Sequence, residues 1–167
     1  MQPEAFGLKS PPYQASAAIR ERLAAFTVVD QRGGDFAERL ANAHSDASCA
    51  GYPVLQIGMD TPQVSGPVLG ACARVLLSTQ AVLGPATDGG WWLLGLHDPR
   101  FAGCLRTVPM SRPDTGEQSL RALRTAGLQV QVVDSFTDVD TIDDIDAVRR
   151  QCLPNSYFHR LTAALVV

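Results

Sequence analysis

The chain has 167 residues, of which 46% are hydrophobic and 19% are charged, proportions typical of a globular protein and not of a disordered or fibrous one. Its 14 basic and 17 acidic side chains give a net charge of −3 without any block of like charges, which argues against nucleic acid as a partner. A chain of this length buries roughly two-thirds of its unfolded surface, enough for a core that needs no disulfide or metal.

Residues 1–15 are rich in proline, glycine and polar side chains, so an irregular arm is expected there, followed by a single α/β domain over residues 16–167. Glu4 and a Pro-Pro pair stand where a secretion signal would need a basic start and an apolar run. No stretch approaches the about 18 apolar residues of a membrane span, so we expect a cytoplasmic protein without one.

Four cysteines are scattered without the spacing of a metal site, which predicts ordinary packing thiols in a reducing compartment. They are Cys49, Cys72, Cys104 and Cys152.

Predicted helices and strands alternate along the rest of the chain. Composition favours a helix over 16–23, and residues 26–29 (FTVV) form a short β-branched run. Helical periods predict helices over 35–47, 65–78, 114–126, 142–148 and 156–164, and apolar runs predict strands over 53–58, 81–83, 91–96 and 128–133. This alternation predicts a parallel sheet covered on both faces.

Residues at the predicted helix ends support these boundaries. Asp35 is expected to cap the first of the five periodic helices, Gly127 to stop the helix before the last strand, and Thr141 to cap the helix that follows it. Residues 97–113 are punctuated by proline and glycine, and no element is predicted there.

Three acidic loops follow predicted strands, and in an open parallel sheet such loops hold the ligand. They contain Asp60 in GMDTP, Asp88 in PATDGG, and Asp138 with Asp140 in TDVDT. Carboxylate oxygens suit Mg²⁺ or Mn²⁺, which bind one or two carboxylates together with substrate phosphates. The loops therefore predict a phosphate-bearing substrate.

Each acidic residue also has a structural alternative. Asp60 before Thr61-Pro62 could cap the next helix, and Asp88 could be a turn residue whose neighbouring glycines adopt positive φ. Asp138 and Asp140 could form a solvated turn.

Other polar and aromatic residues give weaker signals. Arg112, in a breaker-rich loop before a helix, is a candidate phosphate contact, although a plain surface arginine is an equal alternative. Trp91 and Trp92 face opposite ways in a strand, so one can line a pocket while the other packs in the core. The three histidines, His44, His97 and His159, have no carboxylate at a spacing that suggests a catalytic relay.

Four blocks of sequence, each at a predicted strand end, together resemble a known family. They read PVLQIGMDTPQVS, VLGPATDGGWWLLGL, VPMSRPDTGEQSLRAL and DVDTIDDI. In this order they resemble bacterial glycosyltransferase-like proteins related to the molybdenum-cofactor and phospholactate guanylyltransferases. The resemblance implies a nucleotide-diphospho-sugar transferase fold, which is a Rossmann-like three-layer α/β/α sandwich with a mostly parallel sheet. It also implies metal-dependent handling of a nucleotide sugar or nucleoside triphosphate and a small acceptor.

The resemblance also implies roles for particular residues. Asp60 and Asp88 become the expected catalytic residues, and Asp60, Asp138 and Asp140 the expected ligands of Mg²⁺ or Mn²⁺. The expected substrate-binding residues are Thr61, Pro62, Gly89, Gly90, Trp91 and Arg112.

The sequence departs from this family at its start, where relatives carry a strand and a loop rich in glycine, arginine and lysine that holds the nucleotide. MQPEAFGLKSPPYQ does not match that pattern, which suggests a truncated or degenerate member. A sheet without that strand exposes edges, and this predicts a homodimer. Two functions therefore remain: a metal-dependent glycosyl- or nucleotidyltransferase, or a non-catalytic binding and assembly module.

Overall fold

The computed structural model describes residues 21, 24–48 and 51–163 of the chain. Its contacts divide into two units, residues 1–30 and residues 31–167. In the first unit the described residues are exposed, and residues 27–30 form no strand. The predicted arm over 1–15 and most of the predicted helix over 16–23 lie outside the described residues.

The second unit holds every element that the following sections use, and its strands and helices fall close to the predicted ranges. The helices are α1 (Phe36–Ala47), α2 (Gly66–Ser78), α3 (Thr115–Thr125), α4 (Asp144–Gln151) and α5 (Tyr157–Thr162). The strands are β1 (Val54–Ile57), β2 (Ala81–Pro85), β3 (Trp91–Leu96) and β4 (Val130–Val132). A 3₁₀ helix, Pro99–Thr107, occupies the region in which the sequence predicted no element.

The described strands form one mixed sheet in the order β1-β3-β2-β4. Strand β3 pairs antiparallel with both β1 and β2, and only β2 and β4 pair in parallel. The prediction of a mostly parallel sheet is therefore wrong. Strand β3 returns from β2 through a short loop and lies between β1 and β2, antiparallel to both. Strands β1, β2 and β4 nevertheless all run in the same direction, so their carboxyl ends meet at one edge of the sheet.

Helices cover both faces of this sheet, as expected for an α/β/α arrangement. One core cluster joins Leu83 and Leu94 of the sheet to Ala41 of α1, Leu105 of the 3₁₀ helix and Leu123 of α3. The opposite face carries a second cluster, in which Val82, Trp92 and Leu93 pack against Cys72 and Leu76 of α2. Burying these apolar side chains on two faces is the main stabilising contribution to the fold.

The helix ends agree with the sequence except at α4. The Asp35 side chain accepts a hydrogen bond from the amide of Glu38 at 2.7 Å and so caps α1, as predicted. Helix α4 begins after Asp143, and the carboxylate of Asp144 accepts hydrogen bonds from the amide and hydroxyl of Thr141. The prediction that Thr141 caps α4 is wrong, because the acceptor at this helix start is a carboxylate and not its hydroxyl.

Three of the cysteines, Cys72, Cys104 and Cys152, are free thiols, and Cys49 lies outside the described residues. Across the described ranges, every helix is too short or too polar to cross a lipid bilayer.

Candidate functional site

A cleft of about 740 Å³ opens beyond the carboxyl ends of β1 and β2, beside the start of α1. Four aspartates and one arginine line it: Asp60, Asp88, Asp138, Asp140 and Arg112. The fold thus brings together acidic loops that are separated by up to 80 positions in the sequence, as expected for loops at one edge of a sheet.

The loop that carries Asp60 is held at the end of β1 by the backbone. The amide of Gly58 donates to the carbonyl of Trp92 at 2.9 Å, which continues the β1–β3 pairing up to the loop. Asp60 is exposed at the cleft, whereas Thr61 behind it is buried and Pro62 is half-buried, and neither of these two lines the cleft. The alternative that Asp60 caps the next helix is wrong, because α2 begins at Gly66 after Ser65.

The Asp88 loop is a tight turn packed against the start of α3. The Oδ1 atom of Asp88 accepts a hydrogen bond from the amide of Gly90 at 2.8 Å, which confirms that this aspartate is a turn residue, but of the two glycines only Gly89 has the expected positive φ. Gly89 has φ of 94°, and a Cβ there would lie 1.8 Å from the carbonyl oxygen of Pro113. The amide of Gly116 donates to the carbonyl of Gly89 at 2.7 Å. Gly89 serves this packing, whereas Gly90 lines the cleft.

The late acidic turn is tied to both of the earlier loops. The amide of Val139 donates to the carbonyl of Asp60 at 2.9 Å, and the amide of Thr87 donates to the carbonyl of Phe136 at 3.0 Å. The Nε2 atom of the buried Gln63 adds a 2.7 Å hydrogen bond to the carbonyl of Thr137. These bonds place Asp138 and Asp140 opposite Asp60.

Asp138 is the most perturbed of the four carboxyl groups. Its pKa is raised to about 6, chiefly by burial and then by the neighbouring charges of Asp60, Asp88 and Asp140. Its Oδ1 atom is buried and makes no hydrogen bond. A buried carboxylate oxygen without a donor, facing three other carboxylates, is a site that a cation or a bound proton would stabilise.

Arg112 supplies positive charge to the same cleft. Its side chain is 61% exposed and lies 3.5 Å from Oδ1 of Asp114, a distance that leaves the guanidinium free to reach a ligand. It follows Ser111, which has φ of 57°, an uncommon value outside glycine. Among the described residues that line the cleft, Arg112 is the single basic side chain.

The two adjacent tryptophans separate as the alternation of a strand predicts. Trp91 is half-buried and lines the cleft, whereas Trp92 is 1% exposed and packs in the core near Phe136. Strand β3 bulges opposite Gly84 and Pro85, where the indole of Trp92 fills the space that a Cβ of Gly84 would occupy.

Several cleft residues were not among the expected site residues. They come from the start of α1, from β1 and its following loop, and from the loop before α3: Phe36, Leu40, Gln56, Ile57, Met59, Met110, Ser111 and Thr115, with Gln31 preceding α1. Helical periodicity predicted the helix over 35–47 but not that Phe36 and Leu40 on it would line a cleft. Phe36 is 44% exposed, whereas Leu40, one turn further along α1, is buried.

The fold and the strand-end cleft define an α/β protein with the architecture of nucleotide-diphospho-sugar transferases. The crystal structure of a proposed nucleotide-diphospho-sugar transferase from Desulfovibrio desulfuricans G20, at 1.90 Å resolution, is similar with a TM-score of 0.74 and 26% identity. The similarity covers 89% of this chain and 71% of that chain.

The chain belongs to the DUF2064 family, described as uncharacterized protein conserved in bacteria, whose profile matches residues 8–112. The matched region includes Asp60, Asp88 and Arg112 but ends before Asp138 and Asp140. No curated protein shows significant similarity to the chain.

Proposed function

We propose that this protein is a metal-dependent transferase that takes a nucleotide sugar as donor and passes its glycosyl group to a small hydroxylated acceptor. The observation that carries the proposal is the convergence of Asp60, Asp88, Asp138 and Asp140 with Arg112 on one cleft, in a fold similar to that of a proposed nucleotide-diphospho-sugar transferase. A cleft with four carboxylates and one arginine repels a bare diphosphate, so a phosphate-bearing ligand needs a cation there.

The side chains fit a divalent cation of the hard, oxygen-preferring type. Asp60 and Asp138 are the proposed ligands, because the unpartnered Oδ1 of Asp138 is a carboxylate oxygen without a donor, and Asp140 completes the acidic side of the cleft. Among the described residues, no group of three or more aspartate, glutamate, histidine or cysteine side chains is placed to hold a metal ion by itself. Mg²⁺ and Mn²⁺ commonly take their remaining ligands from substrate phosphates and water. When bound, the cation would neutralise the charge that develops on the leaving diphosphate.

The other side chains bind and orient the reactants. Arg112 contacts a phosphate of the donor, and Trp91 with Gly90 forms the wall beside it. Asp88 lies at the acceptor side, where it accepts the proton of the acceptor hydroxyl as the new bond to the sugar carbon forms and the nucleoside diphosphate leaves. Its other oxygen stays bonded to the amide of Gly90, which fixes the carboxylate.

Calorimetric titration tests the proposal. The chain is titrated with UDP-glucose, GTP, CTP and UTP, with Mg²⁺ or Mn²⁺ and again with EDTA, and Asp60→Asn is compared with Asp134→Asn. Asp134 is an exposed carboxylate of the same acidic segment that does not line the cleft, so its variant controls for net charge. We expect metal-dependent binding that Asp60→Asn abolishes and Asp134→Asn retains.

Product analysis then identifies the reaction. A glycosyl transfer releases a nucleoside diphosphate, whereas a nucleotidyl transfer from a triphosphate releases pyrophosphate. Absence of binding to every nucleotide by the folded chain would refute the transferase and favour the non-catalytic binding module.

A further inference from the structure

A buried histidine lies just below the cleft. His44 is 0% exposed, and neither of its ring nitrogens has a hydrogen-bond partner. It follows Phe36 and Leu40 on α1 at intervals of four residues, so the three side chains form one stripe, of which the first two line the cleft. An imidazole without partners is costly to bury, and an apolar side chain of similar size would avoid that cost.

Gln56 of β1 faces this histidine from the sheet. It is paired in register with Leu94 of β3, whose side chain packs in the cluster that contains Ala41 of α1, so Gln56 points to the α1 side. Gln56 lines the cleft, yet its Oε1 atom is buried and has no hydrogen-bond partner. One buried acceptor and one buried imidazole thus lie unpaired at the same interface.

The electrostatics of the pair support their proximity. Burial lowers the pKa of His44 to about 4. The nearby side chain of Gln56 has the opposite, smaller effect, because a hydrogen-bonding partner raises the pKa of the ring. The neutral ring carries one N–H donor, which is what the Oε1 atom lacks. The terminal torsion of a glutamine is broad, so the carboxamide can turn its Oε1 atom toward the ring.

We infer that His44 is a positioning residue whose ring N–H holds the Oε1 atom of Gln56, so that the Gln56 Nε2 group faces the cleft and donates to an oxygen of the ligand. The ligand class rests on the proposed function: the acceptor oxygen is a hydroxyl or phosphate oxygen of a nucleotide sugar or nucleotide. The pairing itself does not depend on that function.

Nitrogen-15 NMR tests the pairing without any ligand. In the wild-type chain the His44 ring N–H gives a slowly exchanging signal, and Gln56→Met, which keeps the side-chain length but removes the acceptor, shifts that signal and speeds its exchange. An unchanged His44 signal in Gln56→Met would overturn the inference, whatever the chain binds.

Binding variants test the donor role, with UDP-glucose and GTP as probes, each in the presence of Mg²⁺. We expect the unfolding temperature of His44→Leu to equal or exceed that of the wild type. Its binding of the probes should be about three- to tenfold weaker, which corresponds to the loss of one hydrogen bond. His44→Gln, which restores a donor, recovers binding, and the double variant His44→Leu with Gln56→Met is no weaker than either single variant.

Wild-type affinity in His44→Leu, or additive losses in the double variant, would overturn the inference. If the wild-type chain binds neither probe, the proposed function and the donor role fail together, whereas the NMR result still decides whether His44 and Gln56 pair.

Discussion

Replacing Gly89 by alanine tests how tightly the Asp88 loop is packed against α3. A Cβ at position 89 would lie 1.8 Å from the carbonyl oxygen of Pro113. Neither atom can rotate away, because the carbonyl belongs to the backbone and the position of a Cβ is fixed by its bond to Cα. The amide of Gly116 also bonds to the carbonyl of Gly89, which resists separation of the two segments. The loop must therefore shift by more than 1 Å or lose this bond, since ordinary contacts begin at roughly 3.4 Å.

The magnitude follows from two separate costs. Alanine at the positive φ of 94° costs about 1–2 kcal/mol, and the backbone overlap adds about 1–3 kcal/mol, by analogy with overpacked sites. Gly127 offers a matched control, because its φ is 87° but a Cβ there meets no atom within 4 Å. Gly127→Ala should therefore destabilise the chain by about 1–2 kcal/mol, and Gly89→Ala by about 2–5 kcal/mol.

The free energies of unfolding of both variants and the wild type are measured by urea denaturation at one pH, with equal slopes as the check for a common unfolded state. Equal destabilisation by the two substitutions would refute the reasoning, since the φ cost alone would then account for both.

Three further outcomes follow from the charges in the second unit. The pKa of His44 is lowered from 6.5 to about 4, so the unfolded chain binds a proton at a higher pH than the folded chain does. The free energy of unfolding should therefore fall by up to about 3 kcal/mol as the pH decreases from about 6.5 to 4. Denaturation measured across this pH range should show that His44→Leu removes the fall. The pKa of Asp138 is raised to about 6, so its effect on stability has the opposite pH dependence, because the ionised carboxylate opposes folding. Asp138→Asn should stabilise the chain at pH 7 by roughly 1 kcal/mol, allowing for partial exposure of the group, and should lose this advantage near pH 4. Arg112→Gln should change stability by less than about 0.5 kcal/mol, because its ion pair with Asp114 is exposed, while calorimetry shows weaker nucleotide binding; equal affinity would remove Arg112 from the proposed site.

The positions of the strands and helices could be predicted because apolar periodicity is local. Helices α1, α2 and α3 and strands β2 and β3 fall within a few residues of the expected ranges. The pairing of β3 was missed although the sequence contained the signal: only residues 86–90 connect β2 to β3, and a parallel crossover needs a dozen or more residues. Loop length, not composition, decides strand direction here.

The gathering of the aspartates was predictable for a related reason. Asp60, Asp88 and Asp138 each follow a strand that runs in the same direction, so the wrong pairing did not affect where they lie. Gln56 and His44 were not identified, because their relation depends on a contact between α1 and β1 that no spacing in the sequence reveals. The roles of the aspartates in metal binding stay predictions until metal binding is measured.

The hydrogen bond from the amide of Val139 to the carbonyl of Asp60 joins two acidic loops through main-chain atoms alone. The approach of the two loop backbones at this point thus needs no side-chain contact, and the Met59 side chain beside it is fully exposed. Position 59 can therefore accept new side chains while this main-chain bond is kept, whereas Val139 is half-buried. Because Met59 also lines the cleft, substitution at this position offers a way to alter the shape of the cleft mouth without changing the bond that joins the two acidic loops.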